Sequence, residues 1–223
     1  MINFGKVPKF DLKYIVTSMD LKNLFLKISE RHCSDEKLVE ELWTAIEKQY
    51  STRSRHYHNL EHLENIFSEL EEVTTEIIDF DTLAFSVFYH DVIYKSTSKD
   101  NEDKSAEFAV SSLKKMKLSE SQLQKIIKQI LATKKHEFSR DEDANYLIDA
   151  DLSILGAERD VYKKYIENIR KEYSVYPDFL YKPGRKKALQ HFLEFEEIFK
   201  TEDFENKYEM KARENIKWEI NNL

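Results

Sequence analysis

The ten residues from Phe85 to Tyr94 form the most apolar run of the chain, and a histidine and an aspartate stand side by side inside it. The residues before this pair are apolar on nearly every side of a helix, which is typical of a helix buried at the centre of a protein. An ionised carboxylate is costly there unless a partner neutralises it. A metal ion accepts both a neutral imidazole and a carboxylate, so His90 and Asp91 are candidate metal ligands. The alternative is a His–Asp hydrogen bond near the end of a helix.

The fold class is predicted from the number of turn-forming residues and from the spacing of apolar residues. Three glycines and three prolines in 223 residues are too few for the turns of an all-β chain or an alternating α/β chain. Apolar positions recur at helical spacing through most of the length, with charged residues on the outer faces. We therefore expect an all-α protein, with a single domain over residues 1–223 that is long enough for a full hydrophobic core. Residues 1–19 have few periodic positions, and we expect an irregular N-terminal segment there.

Composition also limits where the protein works and what it binds. Cys33 is the single cysteine, which excludes an internal disulfide and is typical of a reducing cytosol. No apolar run approaches transmembrane length, and the N-terminus has no signal-peptide pattern. We expect a soluble, cytoplasmic protein that binds no membrane. The net charge of −7 argues against general nucleic-acid binding and leaves room only for local basic patches.

Two further histidines extend the buried face of a predicted helix. Apolar residues recur with helical spacing over residues 63–70, and His62 and His58 lie one and two turns before Ile66. Side chains four residues apart are about 5–6 Å apart at Cβ, so both imidazoles can reach one site. The alternative interpretation is a pair of hydrogen-bonded core histidines. His56 lies off this face, and we expect it at the surface.

A fourth candidate ligand comes from helix phase in residues 143–155. Asp151 is seven residues after Ala144 and four after Leu147, so it falls on the apolar face of that segment. A carboxylate on a core-facing side needs a partner. Asp149 lies about 160–200° away, from a step of about 100° per residue, and is the lesser candidate.

Two more residues have alternative roles. Glu102 lies in the first turn of a predicted helix, where acidic residues normally cap the helix and favour its dipole. It could instead orient a metal ligand or a water. His136 follows a helix that runs out near Lys134, and is either a solvated helix-end residue or a group at the mouth of the site.

The C-terminal third predicts more helices without visible chemistry. We expect a break at Pro177 and a turn at residues 182–184, followed by two helices. The basic residues 185–187 could hold a phosphate near a helix start, but a solvated basic cluster is favoured. The same two interpretations apply to Arg213.

Together, His62, His90–Asp91 and Asp151 resemble the H…HD…D pattern of the HD superfamily of metal-dependent phosphohydrolases. The local motifs resemble those of bacterial proteins classed as predicted HD-superfamily phosphohydrolases, and they cover roughly residues 40–220. In order, the matching residues are Tyr57-His58-Asn59 with His62, His90-Asp91 with Tyr94, Asn101-Glu102 with Ser105-Ala106, His136, Ala150-Asp151-Leu152, and Ala212-Arg213 with Asn215.

The resemblance implies an HD-type helical bundle in which His62, His90, Asp91 and Asp151 bind a divalent metal ion. Two imidazoles and two carboxylates suit Mn, Co, Fe, Ni or Zn better than Mg alone. Four protein ligands leave positions for water and a phosphoryl oxygen on an octahedral ion.

Catalytic roles are implied by a second likeness. The motifs at residues 57–62 and 150–153 also look like those of cyclic nucleotide phosphodiesterases. By that analogy His58 is the general acid that protonates the leaving oxygen, while Glu102 and His136 could position water or hold a second ion. The chain is shorter than those catalytic domains and lacks their nucleotide-base pocket sequence, so a cyclic nucleotide substrate is not implied.

The expected activity is hydrolysis of a phosphate ester or anhydride by a metal-activated water. The substrate would be a nucleotide or another small phosphorylated metabolite, and a homodimer is left open. One alternative is an HD-fold di-iron oxygenase, in which His58 and His136 would help to hold two irons. The other is a non-catalytic nucleotide-binding sensor.

Overall fold

The computed structural model of the chain describes residues 20–223. Within that range it contains ten α-helices and no β-strand, which confirms the all-α prediction. The irregular segment predicted at residues 1–19 lies outside the described residues. The helices are α1 (Leu21–Ser29), α2 (Glu36–Tyr50), α3 (Leu60–Glu72), α4 (Phe80–Tyr89), α5 (Asn101–Leu113), α6 (Glu120–Ala132), α7 (Glu142–Leu152), α8 (Arg159–Glu172), α9 (Asp178–Glu194) and α10 (Glu202–Asn222).

Side-chain caps fix where the early helices begin. Asp20, Asp35, Asn59 and Asp79 start α1 to α4, and each accepts a hydrogen bond from the backbone N–H three residues later. Ser119 begins α6 with a reciprocal capping box that it forms with Gln122. Because α3 and α4 carry the candidate histidines, these caps also set the positions of those side chains.

The helix α4 lies at the centre of the core. Every residue from Thr82 to Tyr89 is buried, and the helix contacts α3, α5, α6 and α7. Phe88 packs edge-on against Phe25 of α1 at a ring-centroid distance of 5.2 Å. The central buried helix predicted from the apolar run is therefore present. It ends at Tyr89, so the His–Asp pair directly follows its last turn.

A 3₁₀ turn at Ser153–Gly156 ends α7 and packs closely on α10. A Cβ added at Gly156 would lie 2.6 Å from the Cβ of Tyr208, so only glycine allows this approach. Asn215 of α10 donates hydrogen bonds to the carbonyls of Leu155 and Ala157. These contacts hold the end of α7, where Asp151 lies, in a fixed place.

The helix α9 corrects the prediction for the C-terminal third. Pro177 precedes the helix as expected, but Pro183 and Gly184 lie inside it, so the predicted turn at residues 182–184 is wrong. A proline inside a helix removes the hydrogen bond to the carbonyl four residues earlier. Here Pro183 and Phe179 are both exposed, so water can satisfy that carbonyl. In residues 20–223 no helix combines the length and apolarity that a membrane crossing needs.

Candidate metal centre

Three side chains bring one donor atom each to a common point. His62 lies in the first turn of α3, His90 follows α4, and Asp151 lies in the last turn of α7. The two histidine Nε2 atoms are 3.3 Å apart, and Asp151 Oδ1 is 3.2 Å from Nε2 of His62 and 3.9 Å from Nε2 of His90. Two donors about 2.1 Å from one ion are about 3.0–3.4 Å apart at octahedral or tetrahedral angles. Two of the three separations lie in this range, and these three residues, the metal cluster, could hold a metal ion.

Asp91 faces the metal cluster from its edge. Its Oδ2 lies 3.5 Å from Nε2 of His90 and 3.8 Å from Nε2 of His58. The group of donor atoms close enough to share one ion consists of His62, His90 and Asp151. Asp91 is thus adjacent to the predicted ligand set in this conformation and less central than the other three.

The hydrogen bonds and pKa values of the metal cluster suit a cation. His90 Nδ1 lies 2.8 Å from the carbonyl of Val87; if it donates its proton there, Nε2 carries a lone pair. Burial lowers the pKa of His62, which keeps that imidazole neutral. Burial would raise the pKa of Asp151, but His136 and His62 hold it well below its ordinary value. Two imidazole nitrogens and a carboxylate that converge in this way could hold a metal ion.

Arg55 ties together the two segments that carry this chemistry. It is buried, and it donates to the carbonyls of His58, Asp91 and Val92 over distances of 2.7–3.0 Å. The segment before α3 is thereby fixed to the segment after α4. No sequence pattern singles out Arg55, since it lies in a polar, arginine-containing stretch without apolar periodicity.

His58 reaches the metal cluster by a route that differs from the predicted one. The helix α3 begins at Leu60 with Asn59 as its cap, so His58 precedes the helix and is not on its buried stripe. Its ring stacks on Tyr94 at a centroid distance of 4.2 Å. Its Nδ1 lies 2.6 Å from Oε2 of Glu172, and its Nε2 points towards Asp91.

Glu172, the last residue of α8, organises the segment that contains His58. Its side chain is only 1% exposed, and Oε1 accepts the backbone N–H groups of His56, Tyr57 and His58. Burial raises the pKa of this carboxyl, but the His58 hydrogen bond and the backbone donors lower it to about 2. Burial likewise lowers the pKa of His58, but the hydrogen bond to Glu172 and the charges of the nearby carboxylates together raise it above its ordinary value. The pair therefore favours a protonated imidazole held by a carboxylate.

The sequence contains no signal that marks Glu172 as part of the site. It is separated by 114 residues from the turn that it organises, and it follows Arg170 and Lys171 at the charged end of an amphipathic helix. A glutamate beside other charged residues at the end of a helix is ordinarily a solvated surface residue. No local pattern distinguishes it.

The other two candidate catalytic residues lie at different distances from the metal cluster. His136 adopts a positive φ of 54°, and its Nε2 lies 3.4 Å from Oδ2 of Asp151, so it stands beside the cluster. Glu102 lies in the first turn of α5 and lines a cavity that opens over the metal cluster. Its carboxylate is 3.9 Å from Nζ of Lys134.

Asp149 is turned away from the metal cluster, in the direction that helix phase predicts. It is fully buried, which its place off the predicted core stripe did not suggest. Its carboxylate accepts the N–H groups of Lys200 and Thr201 and the hydroxyl of Thr201 before α10. Burial raises its pKa to about 6, against the effect of these donors. Asp149 is thus a cap for the chain entering α10.

The basic residues of the C-terminal third have mainly structural partners. Arg185 is largely buried and makes a bidentate pair with Glu219 at 2.7 and 3.1 Å, so the prediction of a solvated cluster is wrong for this residue. Arg213 donates to the carbonyls of Phe195 and Glu196 and pairs with Glu209. Both guanidiniums fix the packing around α10.

A cavity of about 570 Å³ opens over the metal cluster. Its polar end includes His58, His90, Asp91 and Asp151, with His136 and Glu102 beside them. The remaining lining comes mainly from α8, α9 and the loop between them. The α9 residues that line it, the α9 wall, are Leu180, Tyr181, Gly184, Arg185, Ala188 and Phe192.

Comparison of the chain with protein-family models, with curated proteins and with solved structures finds no significant match. What the site can do chemically is therefore inferred from its own residues. A candidate set of metal ligands, an imidazole hydrogen-bonded to a buried carboxylate and an open cavity meet at one place.

Proposed function

We propose that the protein is a metal-dependent phosphohydrolase that cleaves a small phosphate ester. The observation that carries this proposal is the convergence of the His62, His90 and Asp151 donor atoms at the end of a cavity that is also lined by His58, whose Nδ1 is hydrogen-bonded to Glu172. Each of these features has a structural explanation when taken alone. Together they supply the three things that phosphoester hydrolysis needs, namely a metal site, a proton donor and room for substrate.

The proposed ion is held by His62, His90 and Asp151, with Asp91 as the fourth ligand at the edge of the group. This set of imidazoles and carboxylates favours Mn, Co, Fe, Ni or Zn over Mg alone. When bound, such an ion supplies an activated water and neutralises phosphoryl charge. The hydrogen bond from His90 to the Val87 carbonyl keeps that ring in the ligating tautomer.

His58 is the proposed general acid. Its Nδ1 is occupied by Glu172, so the proton available for transfer is the one on Nε2, which faces the cavity near Asp91. The hydrogen bond to Glu172 and the nearby carboxylates raise its pKa above the ordinary value, which favours the protonated imidazole. It can therefore protonate the departing alkoxide of an ester, which has a high proton affinity.

The test combines metal analysis with an anaerobic assay. Purified protein should bind Mn or Co stoichiometrically and release inorganic phosphate from simple phosphomonoesters without oxygen. An iron-loaded, reduced sample that consumes oxygen and releases no phosphate would replace the proposal with the di-iron oxygenase. Protein that binds a metal and a nucleotide but turns over neither substrate class would support the sensor.

A further inference from the structure

Beyond the metal cluster, the cavity is enclosed mainly by aromatic and aliphatic side chains. Tyr165 and Ile169 of α8 line it, with Leu180, Tyr181 and Phe192 of the α9 wall. A ligand that fits this space must bury surface against them, and burial of apolar surface is worth about 25 cal/mol per Å². The walls therefore favour an apolar group on the ligand.

Aromatic rings contact one another at several places along the cavity. Tyr173 lies 6.2 Å from Tyr176 and 6.0 Å from Tyr181 between ring centroids, in the α8–α9 region. Phe192 lies 5.5 Å from the His136 ring, next to the metal cluster. Side chains of this kind give flat rings favourable stacked and edge-on contacts.

Charge limits how many phosphoryl groups the cavity can accept. Among the lining residues that the structure describes, Arg185 is the one with a permanent positive charge, and Glu219 balances it. Asp91, Glu102 and Asp151 line the same space with carboxylates. A triphosphate would bring several more negative charges, which proteins normally meet with additional cations. A single phosphoryl group at the metal cluster suits this balance better.

Three neutral polar side chains of the lining are committed to the protein, whereas the Tyr181 hydroxyl is buried without a hydrogen-bond partner in residues 20–223. The Asn101 side chain exchanges both of its hydrogen bonds with the backbone of Lys95. The Thr133 hydroxyl donates to the carbonyl of Ile130, and the Ser98 hydroxyl bonds Asp100. These groups are therefore not available to recognise the hydrogen-bonding edge of a nucleobase.

We infer that the cavity takes a ligand with one phosphoryl group, bound at the metal cluster, and an aromatic group, bound between α8 and the α9 wall. The inference rests on the proposed function and narrows it to phosphomonoesters of alcohols that carry an aromatic ring. A nucleoside polyphosphate is disfavoured by charge, and a small polar ester such as glycerol phosphate leaves the walls without contact.

Two substrates with similar leaving groups test this preference in the Mn-loaded protein. Benzyl phosphate and glycerol 1-phosphate both release a primary alcohol. A difference in kcat/KM therefore reports the contact of the aromatic ring with the cavity and not the acidity of the leaving alcohol. We expect benzyl phosphate to be preferred about tenfold or more. Equilibrium binding, measured by calorimetry, should show benzylphosphonate binding about tenfold more tightly than methylphosphonate.

Matched variants connect the preference to the α9 wall. Leu180→Ala removes a lining side chain that is already 54% exposed, while Phe179→Ala removes its 74% exposed neighbour, which is not part of the lining. Leu180→Ala should reduce the benzyl preference about threefold or more, and Phe179→Ala should leave it unchanged. Gly184→Phe places a ring where an added Cβ meets no atom within 4 Å, and should weaken benzylphosphonate binding by narrowing the cavity.

The outcomes separate this inference from the proposed function. Equal affinity for the two phosphonates, or faster hydrolysis of ATP than of benzyl phosphate, would overturn the aromatic monoester. Equal effects of Leu180→Ala and Phe179→Ala would remove the α9 wall from ligand binding and overturn the inference too. Selective benzylphosphonate binding without phosphate release from any ester would keep the ligand class and reject the hydrolase.

Discussion

The metal cluster and the α9 wall face the same cavity, but they differ in how firmly their side chains are held. His62 and His90 are almost fully buried, and the segments around them are tied by Arg55 and by the cap at Asn59. The helix α9, by contrast, has only two buried residues, Tyr181 and Leu189, and carries a proline and a glycine in its interior.

This difference assigns separate tasks to the two regions. Donor atoms must be fixed to within a fraction of an ångström for a metal ion, which a buried and hydrogen-bonded framework provides. Apolar contacts tolerate adjustment, so an exposed helix can present them. Changes in the α9 wall should therefore alter which ligand binds, whereas changes in the metal cluster should alter whether the site works at all.

The largest expected effect separates two aspartates in α7. Asp151→Ala removes a cluster ligand and should weaken metal binding roughly 100-fold or more. Asp149→Ala should keep its metal but lose about 1–3 kcal/mol of unfolding free energy, because three donors before α10 lose their acceptor. Metal content by elemental analysis and urea unfolding distinguish the two. Loss of metal in Asp149→Ala with retention in Asp151→Ala would show that the assignment of ligands along α7 is wrong.

The next effect concerns proton transfer by His58. His58→Ala should keep metal and fold but lose about 10²–10⁴ in the rate of alkyl phosphate hydrolysis. Hydrolysis of an aryl phosphate should fall much less, since its leaving group needs little protonation. His56→Ala is the matched control, because that residue is exposed and contacts Glu172 through its backbone N–H. If His58→Ala loses an equivalent of metal, His58 is a ligand and the site is binuclear.

A smaller effect is the pH dependence of stability through Glu172. Its pKa is about 2 in the folded protein against an ordinary value of 4.5, so its stabilising contribution is complete above pH 4.5 and is lost as the pH falls towards 2. Glu172→Gln should cost about 2 kcal/mol of unfolding free energy at pH 7. The difference between variant and wild type should shrink in urea titrations below pH 4.5. A difference that is constant with pH would mean that Glu172 contributes no charge-dependent stability.

The smallest effect compares Gly184 of the α9 wall with Gly156 of the turn that follows α7 and Asp151. Gly184→Ala should stabilise the protein by about 0.5–1 kcal/mol, because alanine favours a helix and the added Cβ meets no atom within 4 Å. Gly156→Ala should destabilise the protein, because the added Cβ would collide with Tyr208. Thermal unfolding of both variants measures the contrast. A stabilised Gly156→Ala would show that the end of α7 yields more easily than its packing indicates.

Local sequence predicted the parts of this site that depend on local geometry. Helix phase was enough to direct Asp151 and Asp149 to opposite sides of α7, because both positions follow from the 3.6-residue period. Helix phase also predicted His58 near His62, where the structure has it, but the reason was wrong. Asn59 is the N-cap of α3, so the helix begins after His58. The predicted turn at Pro183 is wrong because the solvent exposure that makes a proline tolerable inside a helix is a tertiary property.

Long-range partners were beyond that kind of reasoning. Asp143, for example, is fully buried because it accepts the N–H groups of Ile78 and Asp79 and pairs with Lys125. Nothing near Asp143 in the chain indicates this. The same is true of Arg55, which donates to a carbonyl 36 residues away, and of Glu172, which accepts from an N–H group 114 residues away.

The separation of Glu172 from the turn at residues 56–58 has a consequence for the order in which the site is built during synthesis. The three cluster ligands are contained in the chain up to Asp151, whereas the carboxylate that holds His58 arrives with the end of α8. N-terminal segments emerge first from the ribosome. A nascent chain that reaches Asp151 therefore contains all three candidate ligands but lacks the carboxylate that holds the proposed proton donor, so under the proposed function the metal site could form before the site is able to catalyse.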